Sequence, residues 1–227
     1  MDLNEKVVVV AGASGALGGR IAKLLDERGA QLVLAGRDEA RLEELASEVT
    51  TAETVRFDIR SPRSAALPIE TAVDVYGRVD GLVNATGVVA FGPIGSHPEE
   101  VIDDVISTNL LGPLHMMAAA ARHMEGGFIA NITGVVAEDP FPGMSAYVAA
   151  KTGLSAATRA LARELRRQGT LVVDARPPHI ETGLADRSVF GDPPPFPEGL
   201  QPDQVARIIV EEIELESREI PSDRFTD

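Results

Sequence analysis

The sequence predicts an α/β fold: one doubly wound, Rossmann-like domain with a mostly parallel sheet and helices on both faces. Three observations carry this. Short β-branched apolar runs alternate with segments of helical periodicity, a glycine cluster follows the first run, and no composition shift or linker divides the 227 residues. Each parallel strand pair needs a crossover, and a helix is its usual form. With 44% apolar residues, a chain of this length can bury a sizeable core.

Residues 6–11 form an apolar run without alternation, the pattern of a parallel strand buried on both faces. A glycine turn over 12–18 leads into a helix over 18–28, where Ile21, Leu24 and Leu25 recur at helical spacing and Gly29 supplies the stop. The unit then repeats: strand 31–35, helix 39–47, strand 54–58, and a helix over 62–76 opened by Pro62. Strand 81–84, helix 99–124, strand 127–133, an Ala-rich helix over 146–168 and strand 171–176 complete the alternation. Past Arg176 the regularity fails, and Pro177, Pro178, Pro193, Pro194, Pro195 and Pro197 punctuate an aperiodic stretch. Long irregular segments in compact domains usually serve function, so 177–201 is expected to be a substrate loop within a single domain spanning 1–227. A last helix runs over 202–216, leaving room for one short strand at the end.

Lys and Arg total 21 against 35 Asp and Glu, a formal charge of −14 with no basic stripe. This excludes general electrostatic attraction to nucleic acid or anionic membrane. The absence of cysteine excludes disulfides, thiolate nucleophiles, Cys-ligated zinc and iron–sulfur clusters, and fits a cytoplasmic location. The N-terminal apolar run is too short for a signal-peptide core, and no segment approaches the ~18 apolar residues of a membrane span. His97, His115, His123 and His179 show no ligand-type pairing, so no metal site is expected.

Three constellations carry chemistry. Gly12, Ser14, Gly15, Ala16, Leu17 and Gly18 lie between a buried strand and a helix start, where backbone N–H groups and the helix dipole can hold a pyrophosphate. Gly36-Arg37 follows the second strand, where an acid would bind the adenosine ribose and an Arg accommodates a 2′-phosphate. An Arg at a loop start is also an ordinary solvated charge. With Ser14 as a second donor the preference goes to NADP(H), with NAD(H) as the alternative. Tyr147 and Lys151 stand four apart, on one face of the long helix. A free tyrosine titrates near 10, and a neighbouring ammonium favours the phenolate and lowers that value.

Taken in order, these residues resemble the short-chain dehydrogenase/reductase family over almost the whole chain. The resemblance rests on the glycine turn, Asp58, Asn84-Ala85-Thr86-Gly87, Asn109, Asn131-Ile132-Thr133-Gly134, the Tyr147/Lys151 pair, and Pro177 through Thr182. It implies that Asp58 meets the adenine, that Asn84 and Gly87 belong to the cofactor site with Gly87 near the adenosine, and that Pro177, Ile180 and Thr182 lie against the nicotinamide. It also implies Tyr147 as general acid/base, Lys151 as ribose ligand and depressor of the tyrosine pKa, and Asn109 as holder of a proton-relay water. This sequence departs from the family pattern at Ala11 (Thr), Ala16 (Gly), Ala85 (Asn) and Pro178 (Gly). The substrate-orienting Ser is replaced by Gly134. Either Thr133 brings its hydroxyl round, or the site lacks that donor.

The expected function is NADP(H)-dependent hydride transfer between nicotinamide and a carbonyl or alcohol substrate. Its rival is a catalytically degenerate dinucleotide-binding sensor or scaffold. The Ala-rich helical faces predict a homodimer or homotetramer.

Overall fold

The structure, a computed structural model, describes residues 1–226; Asp227, the last residue of the expected domain, lies outside them. Seven strands, β1 (Val7–Ala11), β2 (Gln31–Gly36), β3 (Ala52–Arg56), β4 (Gly81–Asn84), β5 (Phe128–Ile132), β6 (Leu171–Ala175) and β7 (Glu219–Ile220), form one sheet. Their order is β3-β2-β1-β4-β5-β6-β7, and every neighbouring pair is parallel.

Alternate residues of a strand face opposite sides of its sheet, so an all-apolar strand needs cover on both. In β1, Val8 and Val10 pack into a core with α1 (Ala16–Glu27), α2 (Glu39–Ala46) and α7 (Pro202–Glu214). Val7 and Val9 belong to the core on the other face, with α3 (Pro62–Tyr76), α5 (Gly112–His123) and α6 (Ser145–Glu164). Burying one such side chain contributes about 1.5–3 kcal/mol, and the central strand therefore holds its carboxyl end firmly. Between β1 and β4 the winding reverses, and Ala11 pairs with Asn84 across the register. A crevice at the carboxyl ends of the strands opens there, as the topology requires.

Several elements differ from the sequence expectation: α1 begins at Ala16 rather than 18, α6 ends at Glu164 and tightens into a 3-10 turn over Leu165–Gln168, and two further differences have clear causes. β3 begins at Ala52 rather than near 54, because its register follows β2: Leu32 pairs with Ala52 and Gly36 with Arg56. The helix expected over 99–124 is interrupted. It comprises α4 (Glu99–Ile106), a π-helical turn (Ser107–Leu111) and α5. Pro113 is the cause visible in the sequence: it has no N–H to give to the carbonyl of Asn109, four residues earlier. The Gly112 N–H instead bonds the carbonyl of Ser107, a five-residue step.

The segment 177–201 is tied at both ends. Ile180 bridges Leu200 at its base, and Ala90 bridges Phe190 farther out, where the Phe91 N–H donates to the Phe190 carbonyl at 2.8 Å. It forms a wall over the carboxyl ends of β4, β5 and β6. Among the described residues no helix is long and apolar enough to cross a membrane, and no group of three or more His, Asp or Glu could hold a metal ion.

Candidate active site

The glycine turn builds one side of the crevice. Gly12 adopts φ +86°, a conformation that strains L side chains, and a Cβ there would lie 2.7 Å from the Ala85 carbonyl oxygen. A Cβ on Gly18 would collide with the Gly12 carbonyl. Ala16, where the family pattern has glycine, opens α1 without conflict, because Gly15 caps the helix in an extended conformation. No side chain caps α1 and no acid stands in its first turn. Its leading N–H groups are left to face an anion.

Two cavities meet along this turn. The first, of about 700 Å³, is lined by Gly12, Ser14, Gly36, Arg37, Asp58 and Gly87, among others. Gly36 is there for space: a Cβ on it would lie 2.5 Å from Ser14 Oγ. An acid could stand at that position only if Ser14 moved. The next acid, Asp38, is engaged, since its Oδ1 accepts the Arg41 N–H at 3.2 Å and caps α2 while its Oδ2 lies 3.3 Å from Arg41 Nε. Arg37 forms no ion pair among the described residues, and neither does Arg56 on the same cavity wall. Asp58 reaches the cavity with its carboxylate already gripped by Arg60, whose NH2 donates to it at 2.7 Å. That guanidinium holds the Asp58 carboxyl below the usual range.

The second cavity, of about 410 Å³, is lined by Gly15, Ala16, Leu17, Gly18 and Gly87 on one side and by Thr133, Tyr147, Lys151, Pro177, Ile180 and Thr182 on the other. Four residues apart on α6, Tyr147 and Lys151 face it together, with Lys151 Nζ 5.8 Å from the centre of the Tyr147 ring. Nζ donates to the Ile132 carbonyl at 2.7 Å, which fixes the ammonium beneath the end of β5. The expected direction of the tyrosine pKa is corrected here. Burial among apolar side chains pushes the Tyr147 phenol up to about 12, and burial pushes Lys151 down to about 8, opposed by the Asp174 carboxylate. Loss of hydration on burial dominates both shifts.

Three further residues depart from their expected places. Asn84 is buried in the sheet and lines neither cavity; its Nδ2 donates to Asn131 Oδ1 at 2.6 Å. Asn109 is buried, and its side chain is used on backbone: Nδ2 donates to the carbonyls of Val88 (2.9 Å) and Val105 (2.8 Å), while Oδ1 accepts the Val88 N–H at 3.2 Å. That amide fixes the strand exit beside Gly87, and with Asn109 lining neither cavity its side chain is not free for the water-holding role implied for it. Thr133 does not bring its hydroxyl round. Its Oγ1 donates to Asp174 Oδ1 at 2.6 Å, an acid that also accepts Ser155 Oγ at 2.6 Å and Arg176 NH1 at 3.0 Å. Gly134 itself sits at φ +97°, with open space around a Cβ except for the Pro177 carbonyl at 3.7 Å.

The sequence reading did not single out Thr86, Arg187 or the phenylalanines of the second cavity. Thr86 and Arg187 line both cavities and so stand at their junction, and Thr86 Oγ1 is buried with no hydrogen-bond partner. A buried hydroxyl without a protein partner on a cleft wall is suited to bond a ligand atom. Together with the uncapped helix start and the unpaired Arg37, it fits an elongated anionic dinucleotide lying across both cavities.

Residues 6–190 match the short chain dehydrogenase family. An uncharacterized oxidoreductase of Staphylococcus epidermidis is 32% identical over 194 residues, 84% of each chain. The dehydrogenase/reductase SDR family member 7B of Danio rerio is 31% identical over 84% of this chain and 66% of its own. Among solved structures, a short-chain dehydrogenase from Sphingobium yanoikuyae in complex with NADPH superposes with a TM-score of 0.86 at 26% identity, covering 95% of this chain and 87% of that one. An alcohol dehydrogenase from Thermococcus sibiricus complexed with 5-hydroxy-NADP also gives 0.86, over 96% and 94% of the two chains; at 24% identity that likeness shows the fold. The family match, the relatives and the parallel seven-stranded architecture agree: this chain belongs to the short-chain dehydrogenase/reductase family and is an oxidoreductase.

Proposed function

We propose that the chain is an NADP(H)-dependent oxidoreductase acting on a carbonyl or alcohol carbon, with Tyr147 as its general acid/base. The observation that carries this reading is the placement of Tyr147 and Lys151 in the cavity that opens, past Thr86 and Gly87, onto the glycine turn. Bound across the two cavities, a nicotinamide dinucleotide supplies a hydride at C4 of its ring. The uncapped first turn of α1 and the hydroxyl of Thr86 hold its diphosphate region, Ser14 and Arg37 take the 2′-phosphate, Asp58 faces the adenine, and Pro177, Ile180 and Thr182 line the nicotinamide end. The NADPH complex of the Sphingobium relative supports the choice of cofactor by analogy.

In the reducing direction Tyr147 donates its phenolic proton to the carbonyl oxygen as hydride reaches the carbon, giving the alcohol. Lys151, fixed by the Ile132 carbonyl, stabilises the phenolate that forms and binds the ribose. A phenol kept protonated by burial is suited to this direction at neutral pH. With the Thr133 hydroxyl committed to Asp174 and none at Gly134, Tyr147 carries most of the charge developing on oxygen, and turnover is expected to be modest. The Tyr147 and Lys151 pair on the wall of the second cavity favours turnover over the sensor reading. Nicotinamide fluorescence followed with ketones, aldehydes and alcohols tests the proposal. Cofactor binding without turnover of any of them would overturn it.

We further propose a homodimer or homotetramer built on α4, α5 and α6. Leu111 is exposed at the end of the π-turn, and Ala149, Ala156 and Ala160 are exposed along α6, small enough for close helix approach. A monomer at micromolar concentration in sedimentation would contradict it.

A further inference from the structure

Beyond the nicotinamide end, the second cavity changes character. The chain has only seven Phe, two Tyr and no Trp. Four of these nine aromatic residues, Phe91, Phe141, Phe196 and Tyr147, line this one cavity. Phe196 is the hub: its ring centre lies 5.9 Å from that of Phe91 and 6.2 Å from that of Phe141, and it stacks on the His179 imidazole at 4.9 Å with 22° between the planes. Tyr147 packs against the same apolar cluster, which includes Val89, Phe91 and Met144. The group that meets the substrate oxygen is thus flanked by rings. Phe141 stands 46% exposed at the mouth, an aromatic face left to water unless something covers it.

The ionisable groups argue in the same direction. The carboxylate of Asp139 stands on the cavity wall, and His179 lies 3.6 Å from Glu181, which also accepts the Gly199 N–H at 2.7 Å. The one arginine on the wall, Arg187, lies at the junction of the two cavities and is held by the backbone, donating to the carbonyls of Gly183 (3.0 Å) and Thr182 (3.1 Å). Of the lining residues, Asp139 is the acid, while Lys151 and Arg187 are spent on backbone carbonyls, so the aromatic end offers an anionic substrate little and a polyhydroxylated one few donors. The volume of about 410 Å³ must also admit the nicotinamide. It lies near the lower end of the ~300–1,000 Å³ typical of ligand pockets.

We propose that the substrate is a neutral aryl ketone with a single ring, or the matching secondary alcohol, whose ring lies against Phe196 while its oxygen meets Tyr147. This rests on the hydride-transfer reading above and names its substrate class. The step balances: hydride adds to the carbonyl carbon, the carbonyl π pair goes to oxygen, and the Tyr147 proton completes the alcohol.

The test compares kcat/KM with NADPH for acetophenone, butanone, dihydroxyacetone and pyruvate. Alongside it, calorimetry measures acetophenone binding to the NADP⁺-loaded Tyr147→Phe protein, where no turnover is required. Acetophenone is expected to exceed the others by at least about tenfold, and Phe196→Ala to raise its KM about tenfold, well beyond the rise for butanone, the scale of losing aromatic contacts. Preference for pyruvate or dihydroxyacetone, or an equal KM change for both ketones in Phe196→Ala, overturns the substrate class and leaves hydride transfer standing. Acetophenone binding to Tyr147→Phe with no reduction of any carbonyl by the native protein overturns hydride transfer and leaves the ring site standing. Absence of both binding and acetophenone turnover overturns the substrate class.

Discussion

The two cavities of the cleft share the wall at Thr86 and Gly87 and work by opposite physics. The first is open and charged: Arg37, Arg56 and the Asp58–Arg60 pair face water, and recognition there depends on which charges lack partners. In the second, apolar side chains surround two titratable groups, and burial moves both away from their ordinary values, Tyr147 up to about 12 and Lys151 down to about 8. Removing a group from the first cavity should therefore change affinity for one ligand feature. A change in the second should alter the chemistry.

The largest break in this contrast is Tyr147→Phe. The ring and its packing stay, and only the proton donor goes. Turnover is expected to fall by about 10²–10⁴, the usual contribution of a positioned acid or base, while NADPH affinity stays within a fewfold. Single-turnover rates and cofactor titration together check this. Most of the activity surviving would place the acid elsewhere.

Arg37→Ala tests the other end. A charge-assisted contact contributes about 1.5–3 kcal/mol, or roughly ten- to over a hundredfold in affinity. The loss should fall on NADPH and leave NADH unchanged, because Gly36 and the engaged Asp38 offer the ribose hydroxyl no acid. Fluorescence titrations with both cofactors measure it. Equal losses for the two would show Arg37 acting on the fold or the diphosphate instead.

Lys151 gives the comparison a pH axis. Its folded-state value of about 8 lies below the ordinary 10.5, so between those values the unfolded chain holds a proton that the folded chain lacks. Stability from this group therefore rises with pH across that window, and its burial cost is fully present below it. The stability of Lys151→Met relative to the native protein should then decline from pH 7 to pH 10, measured by denaturant unfolding without cofactor. Reduction needs the ammonium and the protonated phenol, so kcat/KM should fall above about pH 8. A profile flat to pH 10 would show that bound cofactor restores the ordinary lysine value.

Much of this was legible in the residues. The limits of α3 and β4 are marked by Pro62, Gly77 and Gly81, and the observed elements agree with the spans read from them. β3 was displaced because an edge strand with mostly exposed side chains carries little apolar pattern, and its neighbour sets the register. The π-turn had a signal that periodicity overrode, namely Pro113 within the helical run. At Thr133, alternation along the strand turns the side chain to the face opposite its neighbours, and the decisive partner, Asp174, stands as a lone acid in an apolar strand. The aromatic cluster had no local signal. Phe91, Phe141 and Phe196 lie on three separate loops, brought together when 177–201 bridges the strand exits.

The smallest expected effect concerns Gly134, where sequence alone would favour inserting the missing serine. A lost oxyanion donor typically costs about 10²–10³ in rate, so Gly134→Ser would be an attractive gain if only space mattered. Space is available, since the nearest atom to a Cβ is 3.7 Å away, but φ is +97°. A side chain there strains the backbone, at a cost on the order of 1–3 kcal/mol. Relief of that strain would rotate the turn whose Val135 N–H bonds the Pro177 carbonyl at 2.9 Å, moving the nicotinamide wall with it. Gly134→Ser is therefore expected to lower stability by about 1 kcal/mol or more and to raise turnover little, if at all. Denaturant midpoints and rates for Gly134→Ala and Gly134→Ser separate the two contributions: strain is common to both, and only Ser adds a donor. A serine variant much faster than the native protein, at unchanged stability, would show that the turn adapts and that the absent hydroxyl, rather than the backbone, limits the reaction.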